Sequence, residues 1–466
     1  MDTKKLRQKI LDLAIHGKLV PQDPNDEPVS VLLERIKAEK ERLIKEGKIK
    51  RSKKSAKTSD TPHYENVPFE IPSSWVWTTG NEIFSPLRSC IPQGDTFIYV
   101  DIDAIDNKVN IINNPKIMRT ADAPSRATRY TKAGDVLFSM VRPYLRNIAI
   151  VPENGWIAST GFYVCSPSKL LLSQYCYYLM LSDYVVDGLN QYMKGDNSPS
   201  INNSHILSWL YPIPPLTEQQ RIVKEIERWF ASIDEIEQDK SDLQTIIKQA
   251  KSKILDFAIH GKLVPQDPND EPASELLKRI NPEAEITCDN GHYPVGWIDV
   301  ILGDIFYHNT GKALNSSNKE GVWRNYLTTS NVYWNQFDLS IIKQMPFKDN
   351  ELEKCTVEKG DLLVCEGGDI GRSAIWNFDY NICIQNHIHR LRPKGDLNVL
   401  FYHYVLRFLK EYNLIGGKGI GLLGLSSNEL HKIRMPLPPR KEQDRIVLKI
   451  EEMFSVLDNL QKALEA

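Results

Sequence analysis

The chain has 466 residues, of which 41% are hydrophobic and 25% charged, and its formal net charge is −2. This composition is ordinary for a folded globular protein, and the length predicts roughly three domains. A strongly basic overall balance is excluded, so any footprint for nucleic acid has to be local. No run of apolar residues approaches the ~18 that a membrane span needs, which excludes such a span.

The seven cysteines are scattered along the sequence without a CxxC pair. This pattern favours reduced thiols over disulfides or a zinc site. The N-terminal stretch MDTKKLRQKILDLAIHGK has the pattern of a charged amphipathic helix and not of a signal peptide. We therefore expect a cytoplasmic protein without membrane attachment.

The first 64 residues are predicted to form conserved helical elements, a turn and a basic linker. A short helix is expected at 3–16, a turn at 23–26 and a second helix from Val31 to Ile44. The basic stretch then carries Lys45, Lys48, Lys50, Arg51, Lys53, Lys54 and Lys57. Two interpretations of it remain open, a solvated linker or an arm that contacts phosphates without sequence preference.

Residues 65–215 are predicted to form a compact α/β domain. Short β-rich segments recur in it, FIYVDI from Phe97, GDVLFSMV from Gly134 and GFYVCS from Gly161. A helix is predicted from Leu171 to Leu189. The alternation of short strands and a helix indicates a globular unit and not an extended one.

One long helix is predicted at 216–262. Its apolar residues recur in steps that are mostly 4 and 3, which is the heptad signature of a helix with a narrow seam. The seam residues are Ile222, Ile226, Trp229, Ile233, Ile236, Leu243, Ile247, Ala250, Ile254 and Phe257. Gly261 followed by Pro265 stops the helix. At ~1.5 Å per residue its length is roughly 68 Å, so we expect it to space two parts of the chain.

The second half of the sequence repeats this order. A linker at 263–291 leads into a second α/β domain at 292–438, whose predicted last helix runs from Val399 to Tyr412. The chain ends in a second heptad helix at 439–466. We expect this C-terminal helix to pair with the central helix.

Two duplicated segments show that the chain is an internal repeat. KILDLAIHGKLVPQDPNDEP from Lys9 returns as KILDFAIHGKLVPQDPNDEP from Lys253, an offset of 244. Pro-Pro-x-x-Glu-Gln-x-Arg-Ile-Val occurs at Pro214 and again at Pro438, an offset of 224. Joined tail to head, the chain ends would rebuild the central helix with about two residues missing, the pattern of a two-fold repeat cut within a helix.

The motifs that would carry catalysis are missing from the sequence. It has no Walker A, GxSxG or HExxH motif, and none of the Asn/Asp-Pro-Pro-aromatic type that adenine methyltransferases use. The glycine-rich stretch Gly416–Gly424 lacks the strand and helix that accompany a phosphate-binding loop. His16 and His260 fall at the repeated helix end, where capping or packing is favoured over metal ligation. The sequence therefore predicts neither an enzyme site nor a cofactor in this chain.

Side chains suited to DNA recognition occur at loop positions of both domains. Arg and Lys contact phosphates and guanine edges, whereas Asn and Gln contact adenine edges. In the first domain the candidates are Arg142, Tyr144, Arg146, Lys194, Asn197 and Ser198. In the second domain they are Lys312, Arg372, Gln385, Asn386 and Lys418.

Some of these candidates recur at matching offsets. Arg372 follows Arg146 by 226 residues, and Lys418 follows Lys194 by 224. Gln385 falls where the first domain has Ser159, at the offset of 226. A positively charged residue shared by both domains suits phosphate binding, and the differing polar residues beside it suit recognition of different bases. Each residue taken alone is equally consistent with a surface ion pair.

The duplicated motifs resemble those of the specificity (S) subunits of Type I restriction-modification systems. The residues that carry the resemblance are the two Pro-Pro-x-x-Glu-Gln-x-Arg-Ile-Val helix starts, the Leu-Asp-x-Ala-Ile-His-Gly-Lys-Leu-Val segments at Leu11 and Leu255, and the Gly-Asp strand starts. The resemblance covers essentially the whole chain. A 22-residue insertion near the basic stretch of the first copy departs from strict repetition but touches no motif.

The resemblance implies an α/β (α+β) fold with two globular target-recognition domains, separated by a long antiparallel two-helix coiled coil in a pseudo-two-fold repeat. It implies a non-catalytic subunit whose domains each read one half of a bipartite DNA site, while the helices set the spacer. The implied partners are double-stranded DNA, two methyltransferase subunits docked on the helices, and restriction-translocase subunits. Those subunits, and not this chain, would bind S-adenosylmethionine, ATP and Mg²⁺.

Two other classes of function remain open from the residues alone. One is a self-sufficient enzyme with an unusual active site, which requires a catalytic set shared by both halves. The other is a coiled-coil adaptor whose globular ends bind protein. Diverged domains beside near-identical helices favour the specificity subunit, because helices that face identical partners stay alike.

Overall fold

The computed structural model describes residues 2–46, 67–286, 293–314, 320–415 and 425–465. The chain divides into two compact units, unit 1 (Met1–Asp239) and unit 2 (Lys240–Ala466). Their boundary falls inside one long helix, so each unit includes a part of that helix. None of the helices in these ranges combines the length and the hydropathy that crossing a bilayer requires.

Unit 1 contains both helices and short strands. The helices that begin in it are α1 (Thr3–Ile15), α2 (Val29–Lys45), α3 (Gly80–Ile83), α4 (Ser173–Leu181), α5 (Asp183–Asn190), α6 (Asn203–Ser208) and α7 (Leu216–Ile259). The strands are β1 (Val76–Thr79), β2 (Thr96–Val100), β3 (Ile105–Asp106), β4 (Ile111–Ile112), β5 (Lys116–Arg119), β6 (Ala127–Tyr130), β7 (Val136–Ser139), β8 (Ile148–Ile150), β9 (Ile157–Ser159), β10 (Phe162–Cys165) and β11 (Leu210–Ile213).

The strands of unit 1 form two main sheets. One sheet has the order β10-β7-β8 and the other the order β5-β2-β9-β6, while β1 pairs with β11 and β3 with β4. The β2–β9 pair is parallel, and the other strand pairs that the structure describes in this unit are antiparallel. The predicted strands at Phe97, Gly134 and Gly161 are confirmed as β2, β7 and β10.

Unit 2 begins within α7 and repeats the plan. Its further helices are α8 (Ala273–Ile280), α9 (Leu302–Ile305), α10 (Asp349–Cys355), α11 (Val399–Glu411), α12 (Ser427–His431) and α13 (Arg440–Glu465). Its strands are β12 (Ile298–Ile301), β13 (Phe306–Thr310), β14 (Val322–Leu327), β15 (Val332–Tyr333), β16 (Gln336–Phe337), β17 (Lys343–Phe347), β18 (Thr356–Val357), β19 (Leu362–Cys365), β20 (Ser373–Ile375), β21 (Ile382–Ile384), β22 (Ile388–Pro393) and β23 (Arg434–Leu437).

The sheets of unit 2 match those of unit 1 strand for strand, with one addition. The orders are β13-β22-β19-β20 and β17-β14-β21-β18, with β12 paired to β23 and β15 to β16. The β14–β21 pair is parallel, as β2–β9 is in unit 1. The added strand β13 extends a contact that unit 1 makes as an isolated bridge between Phe84 and Pro167. The repeat seen in the sequence is therefore a repeat of fold.

The repeated Glu-Gln-x-Arg motif attaches the start of each long helix to its own unit. In unit 1 the buried Glu218 accepts a 2.9 Å hydrogen bond from Trp75 Nε1. Gln219, also buried, donates to the carbonyl oxygens of two neighbouring segments at 2.8 and 2.9 Å. Arg221 Nη2 lies 2.5 Å from Asp26 Oδ2. The motif is therefore a structural junction, because every polar group in it has an internal partner.

Unit 2 builds the same junction from the second copy of the motif. Trp297 Nε1 donates to Glu442 Oε2 at 2.9 Å, as Trp75 does to Glu218. Gln443 donates to the carbonyl of the first proline of its motif at 2.9 Å. Arg445 Nη2 lies 2.6 Å from Asp270 Oδ2. The two sequence copies thus fold into the same local geometry.

A second helix runs antiparallel to the part of α7 in each unit. In unit 1 the Arg7 side chain of α1 contacts Asp234 of α7, with 2.6 Å between Nη2 and Oδ1. In unit 2 the Lys251 side chain of α7 contacts Asp458 of α13, with 2.5 Å between Nζ and Oδ1. The residue offsets between the two ion pairs are 244 and 224, the offsets of the repeat. Within unit 2, α13 therefore contacts the part of α7 that belongs to this unit.

One of the two heptad stripes on α7 is buried, and the other is largely exposed. The buried positions are Ile226 and Ile233 in unit 1 and Ile247 and Ile254 in unit 2. Ile222 is also buried and Ala250 is half-buried, whereas the remaining predicted seam positions are 38–44% exposed: Trp229 and Ile236 in unit 1, and Leu243 and Phe257 in unit 2. The single partner helix in each unit therefore covers one stripe and leaves most of the other open.

Most predicted helix limits agree with the structure to within about three residues. The exception is the helix expected from Leu171 to Leu189, which is interrupted at Ser182. This residue has an extended backbone, and its hydroxyl caps α5 by accepting from the amide of Val185. The capping role expected of His16 is confirmed, because its Nδ1 lies 2.7 Å from the carbonyl oxygen of Asp12, and His260 repeats this at 2.8 Å from Asp256.

Candidate nucleic-acid interface

Loops from several strands of unit 1 meet at a polar cavity of about 320 Å³, which we call cleft 1. The loop after β2, the loop after β7 and the end of β9 all contribute to it. Its polar lining residues are Asp101, Asp103, Arg126, Arg142, Asn147, Ser159 and Ser198. Cleft 1 thus offers carboxylate, guanidinium, amide and hydroxyl groups together, which are the groups that contact DNA phosphates and base edges.

Arg142 joins two of the loops that form cleft 1. Its backbone has φ +47°, in the left-handed region that non-glycine residues seldom occupy. Its Nη2 donates to the carbonyl oxygen of Asn197 at 2.7 Å. The structure therefore brings three predicted residues together, because Ser198 follows Asn197 and lines the same cleft. Arg142 remains exposed, so its other donors can reach a ligand.

The remaining candidate side chains of unit 1 differ in whether they are held by contacts within the unit or open to solvent. The Arg146 guanidinium donates to the carbonyl oxygen of Leu181 at 2.6 Å and lies 2.5 Å from an Asp183 oxygen. It therefore anchors the loop to α5, and its contact with DNA stays a prediction. Tyr144 is 46% exposed and Lys194 is also exposed, so both side chains are open to solvent.

Three candidates of unit 2 lie side by side. The backbone of Lys312 forms an isolated parallel β-bridge with Gln385. The backbone carbonyl of Lys312 accepts a hydrogen bond from the backbone amide of Asn386 at 2.9 Å. The Lys312 ammonium is occupied, however, at 2.6 Å from Glu351 Oε2 and 2.8 Å from the carbonyl of Pro346. This bond is the largest cause that lowers the pKa of Glu351, so the pair is held ionised inside the unit. A DNA contact by Lys312 stays a prediction.

The hydrogen-bond register corrects the pairing of Arg372 with Arg146. The amide of Cys365 donates to the carbonyl of Arg372, and the equivalent amide of Ser139 donates to the carbonyl of Asn147. Arg372 therefore corresponds to Asn147, because the loop before β8 is one residue longer than the loop before β20. The Arg372 side chain donates to the Thr329 carbonyl at 2.5 Å, a contact unlike those of Arg146.

The pairing of Gln385 with Ser159 is confirmed by the strand register. Tyr326 of β14 pairs with Cys383, and the equivalent Tyr99 of β2 pairs with Ile157. Cys383 is therefore equivalent to Ile157 at an offset of 226, and two residues further along Gln385 is equivalent to Ser159. Lys418 and most of the basic stretch at 45–57 lie outside the described residues.

Sequence reasoning missed the acidic and amide side of cleft 1. Asp101 and Asp103 directly follow β2, and Asn147 directly precedes β8. Carboxylates accept hydrogen bonds from the cytosine amino group, so they belong in a DNA-reading cleft as much as cations do. The available signal was their position at strand ends. Within the ranges that the structure describes, no cluster of three or more His, Cys, Asp or Glu is arranged to hold a metal ion.

Comparison with known proteins gives one family for both repeats. The family model described as Type I restriction modification DNA specificity domain matches residues 93–244 and 294–466. Two similar proteins of Escherichia coli are the specificity subunits of the Type I restriction enzymes EcoAI and EcoEI. They are 27% and 26% identical, over 98% and 99% of this chain and 90% and 91% of their own lengths.

Two solved structures share the fold. A chain from work on complex assembly and conformational transition of the type I R-M system has a TM-score of 0.67 and 26% identity, over 85% of this chain and 94% of its own. The HsdS subunit from Thermoanaerobacter tengcongensis has a TM-score of 0.57 and 26% identity, over 85% and 93%. The matched segments cover both units, and the chain therefore belongs to the Type I restriction-modification DNA specificity family.

Proposed function

We propose that this chain is the non-catalytic subunit that gives a Type I restriction-modification complex its DNA sequence specificity. Unit 1 recognises one half of a bipartite site and unit 2 recognises the other half. The observation that carries the proposal is the double match to the family model, once at 93–244 and once at 294–466. Each matched stretch contains the two main sheets of one unit, together with most of α7 in the first stretch and the whole of α13 in the second.

The loop clusters supply the side chains for recognition. In unit 1 we assign this role to Arg142, Tyr144, Asn197 and Ser198, together with the acidic residues of cleft 1. In unit 2 we assign it to Gln385 and Asn386, which occupy the place of Ser159 and its neighbour. Different side chains on one scaffold give the two units different base preferences. The target-recognition domains then comprise residues 65–215 and 292–438.

The exposed apolar residues of the long helices support docking of two methyltransferase subunits. Ile236 in unit 1 is 44% exposed, and Leu460, its equivalent at the offset of 224, is 48% exposed in unit 2. Trp229 is 40% exposed, and its equivalent Met453 at the same offset is partly buried. An apolar residue repeated at the same place in both units suits two copies of one partner, because each copy meets the same surface. Restriction-translocase subunits would join the assembled complex.

The chemistry of modification and restriction belongs to those partners. The methyltransferase subunits bind S-adenosylmethionine and methylate adenine, and the restriction subunits use ATP and Mg²⁺. This chain contributes the choice of sequence, and the complex works in the cytoplasm where its DNA is. The number of residues in α7 sets the length of the unspecified spacer between the half-sites.

The proposal is tested by mapping methyladenine in DNA from cells that express this chain with its methyltransferase subunit. We expect a split motif of two short half-sites with a fixed gap. Cells with the methyltransferase subunit alone are the control and should lack the motif. Methylation that does not depend on this chain would overturn the proposal and favour a protein-binding adaptor instead.

A further inference from the structure

Two equivalent strand pairs, one in each unit, share a cross-strand pair of a tyrosine and a lysine. In unit 1, β2 pairs with β5, and Tyr99 lies opposite Lys116. In unit 2, β14 pairs with β17, and Tyr326 lies opposite Lys343. Both strands therefore keep a constant offset of 227, and the lysine and tyrosine are unchanged between the copies.

The next cross-strand pair differs completely in chemistry. It is Ile98 opposite Ile117 in unit 1 and Asn325 opposite Gln344 in unit 2. Ile117 is 78% exposed, and both amide residues of unit 2 are exposed as well. An apolar pair has thus been exchanged for an amide pair beside an unchanged tyrosine–lysine pair, while on its other side Phe97 is replaced by Arg324. Ile98 packs partly against the core of unit 1, but packing does not account for the exchange at Ile117, because Ile117 and both amides project into solvent.

The position of the pair suits insertion into a groove. β5 and β17 are the edge strands of their sheets. The major groove of B-DNA admits a two-stranded β-ribbon, and the outermost ribbon of a sheet is the one that can enter it. Lys343 is exposed beside the amide pair, where a phosphate would lie, whereas its equivalent Lys116 forms an ion pair with Asp101 of cleft 1. A cavity of about 570 Å³ adjoins the amide pair and is lined also by Trp323 and Arg324.

The hydrogen bond between Asn325 and Gln344 determines which of their amide atoms can face a DNA base. Gln344 Nε2 donates to Asn325 Oδ1 at 2.9 Å. That bond involves neither Gln344 Oε1 nor Asn325 Nδ2, so these two atoms form a neighbouring acceptor and donor. Adenine presents the complement in the major groove, an amino donor at N6 and an acceptor at N7. Isoleucine offers only apolar contact, which suits the methyl group of thymine.

We infer that these cross-strand pairs are base-reading elements, Asn325 and Gln344 for an adenine in the half-site of unit 2 and Ile98 and Ile117 for a thymine in the half-site of unit 1. The inference rests on the proposed function and names residues that specify it. It adds the outermost strand pair of each unit to the loop cluster as a source of specificity.

The test uses the full chain assembled with its methyltransferase subunit, and methyladenine mapping as the measurement. The double variant Asn325→Ile with Gln344→Ile gives unit 2 the pair of unit 1. We expect the preference for one adenine in that half-site to fall by about tenfold or more. The other half-site, read by the unaltered unit 1, is an internal control for folding and assembly.

Two further variants sharpen the result. Gln344→Glu keeps the size of the side chain but makes it acceptor-only, so preference at that position should move towards cytosine. Gln336→Ile, an exposed glutamine on β16 of the same unit, is the matched control and should leave the motif unchanged. An identical motif in the double variant and in Gln344→Glu would overturn this inference while the proposed function stands. Loss of any motif in the unaltered chain would instead overturn both.

Discussion

The indole Nε1 of Trp75 donates a hydrogen bond of 2.9 Å to Oε2 of Glu218, although 143 residues separate them in sequence. The bond connects the start of the first α/β domain with the start of α7. Burial raises the pKa of Glu218 above its ordinary value, and the hydrogen bonds from Trp75 and Gln22 oppose that shift. The stability of this buried carboxyl group therefore depends on its hydrogen-bond donors, because it has little contact with water.

We expect Trp75→Phe to destabilise unit 1 by about 1–3 kcal/mol, because it leaves a buried carboxyl oxygen without its donor. Trp297→Phe should cost unit 2 a similar amount through Glu442. Hydrogen exchange measured separately on peptides of each unit would show which unit is weakened.

Trp77→Phe is the matched control for this prediction. Within the described residues the Nε1 atom of Trp77 is buried and has no hydrogen-bond partner. The same change of ring there removes no hydrogen bond, so it should cost less than Trp75→Phe. Equal losses in the two variants would mean that the ring, and not its hydrogen bond to Glu218, stabilises the junction.

Unit 2 should lose stability on acidification because it buries neutral histidines. Burial lowers the pKa of His308 to about 4, with smaller contributions from His389 and His431. The unfolded chain takes up this proton near pH 6.5, whereas the folded chain resists it until about pH 4. The contribution of His308 to stability is therefore present above pH 6.5 and is lost as the pH falls towards 4.

His308→Gln should flatten this acid slope, because glutamine can bond to His389 but takes up no proton. The measurement is hydrogen exchange of unit 2 between pH 6.5 and 4. His387→Gln, a change at an exposed histidine of the same unit, is the control. A slope that His308→Gln leaves as steep as before would rule out His308 as its source.

Arg142→Ala should weaken DNA binding by the assembled complex and change its salt dependence. Loss of one phosphate contact is expected to lower the slope of log affinity against log salt by about one. Titrations with the bipartite site at several salt concentrations measure both quantities. Arg35→Ala removes an exposed arginine that pairs with Glu27 and serves as the control. Unchanged affinity and slope would exclude Arg142 from the interface.

The helices and the repeat were predictable from sequence because each depends on local pattern. Heptad spacing located α7 and α13, and the duplicated Glu-Gln-x-Arg motif located two equivalent junctions. Burial along α7 was not predictable, because heptad spacing does not reveal that one partner helix covers Ile233 and leaves Ile236 open. That outcome depends on which surfaces meet in the folded unit.

The site was predictable only in part, because loop geometry depends on register. A constant offset paired Arg146 with Arg372, but one additional residue before β8 makes Asn147 the true equivalent. The exchange of Ile117 for Gln344 was not predictable for a similar reason. It is apparent only from the pairing of the strands, which places it beside the unchanged lysine and tyrosine.

The last prediction concerns α7 as the element that fixes the spacer. Deleting Asp239–Asp242 removes four residues, which shortens the helix by about 6 Å. Base pairs are ~3.4 Å apart, so the preferred spacer should become about two base pairs shorter. Four residues are close to one helical turn, so the buried stripe on either side of the deletion stays near its original face.

Deletion of seven residues, a whole heptad, extends the series and should shorten the spacer by about three base pairs. A length-preserving variant with Ser241→Ala and Gln244→Ala is the control, and its spacer should match the unaltered chain. Methyladenine mapping gives the spacer directly in each case. The proposal fails if complexes that carry either deletion still methylate sites with the original spacer. In that case a shorter helix would leave the distance between the half-sites unchanged, so α7 would not set it.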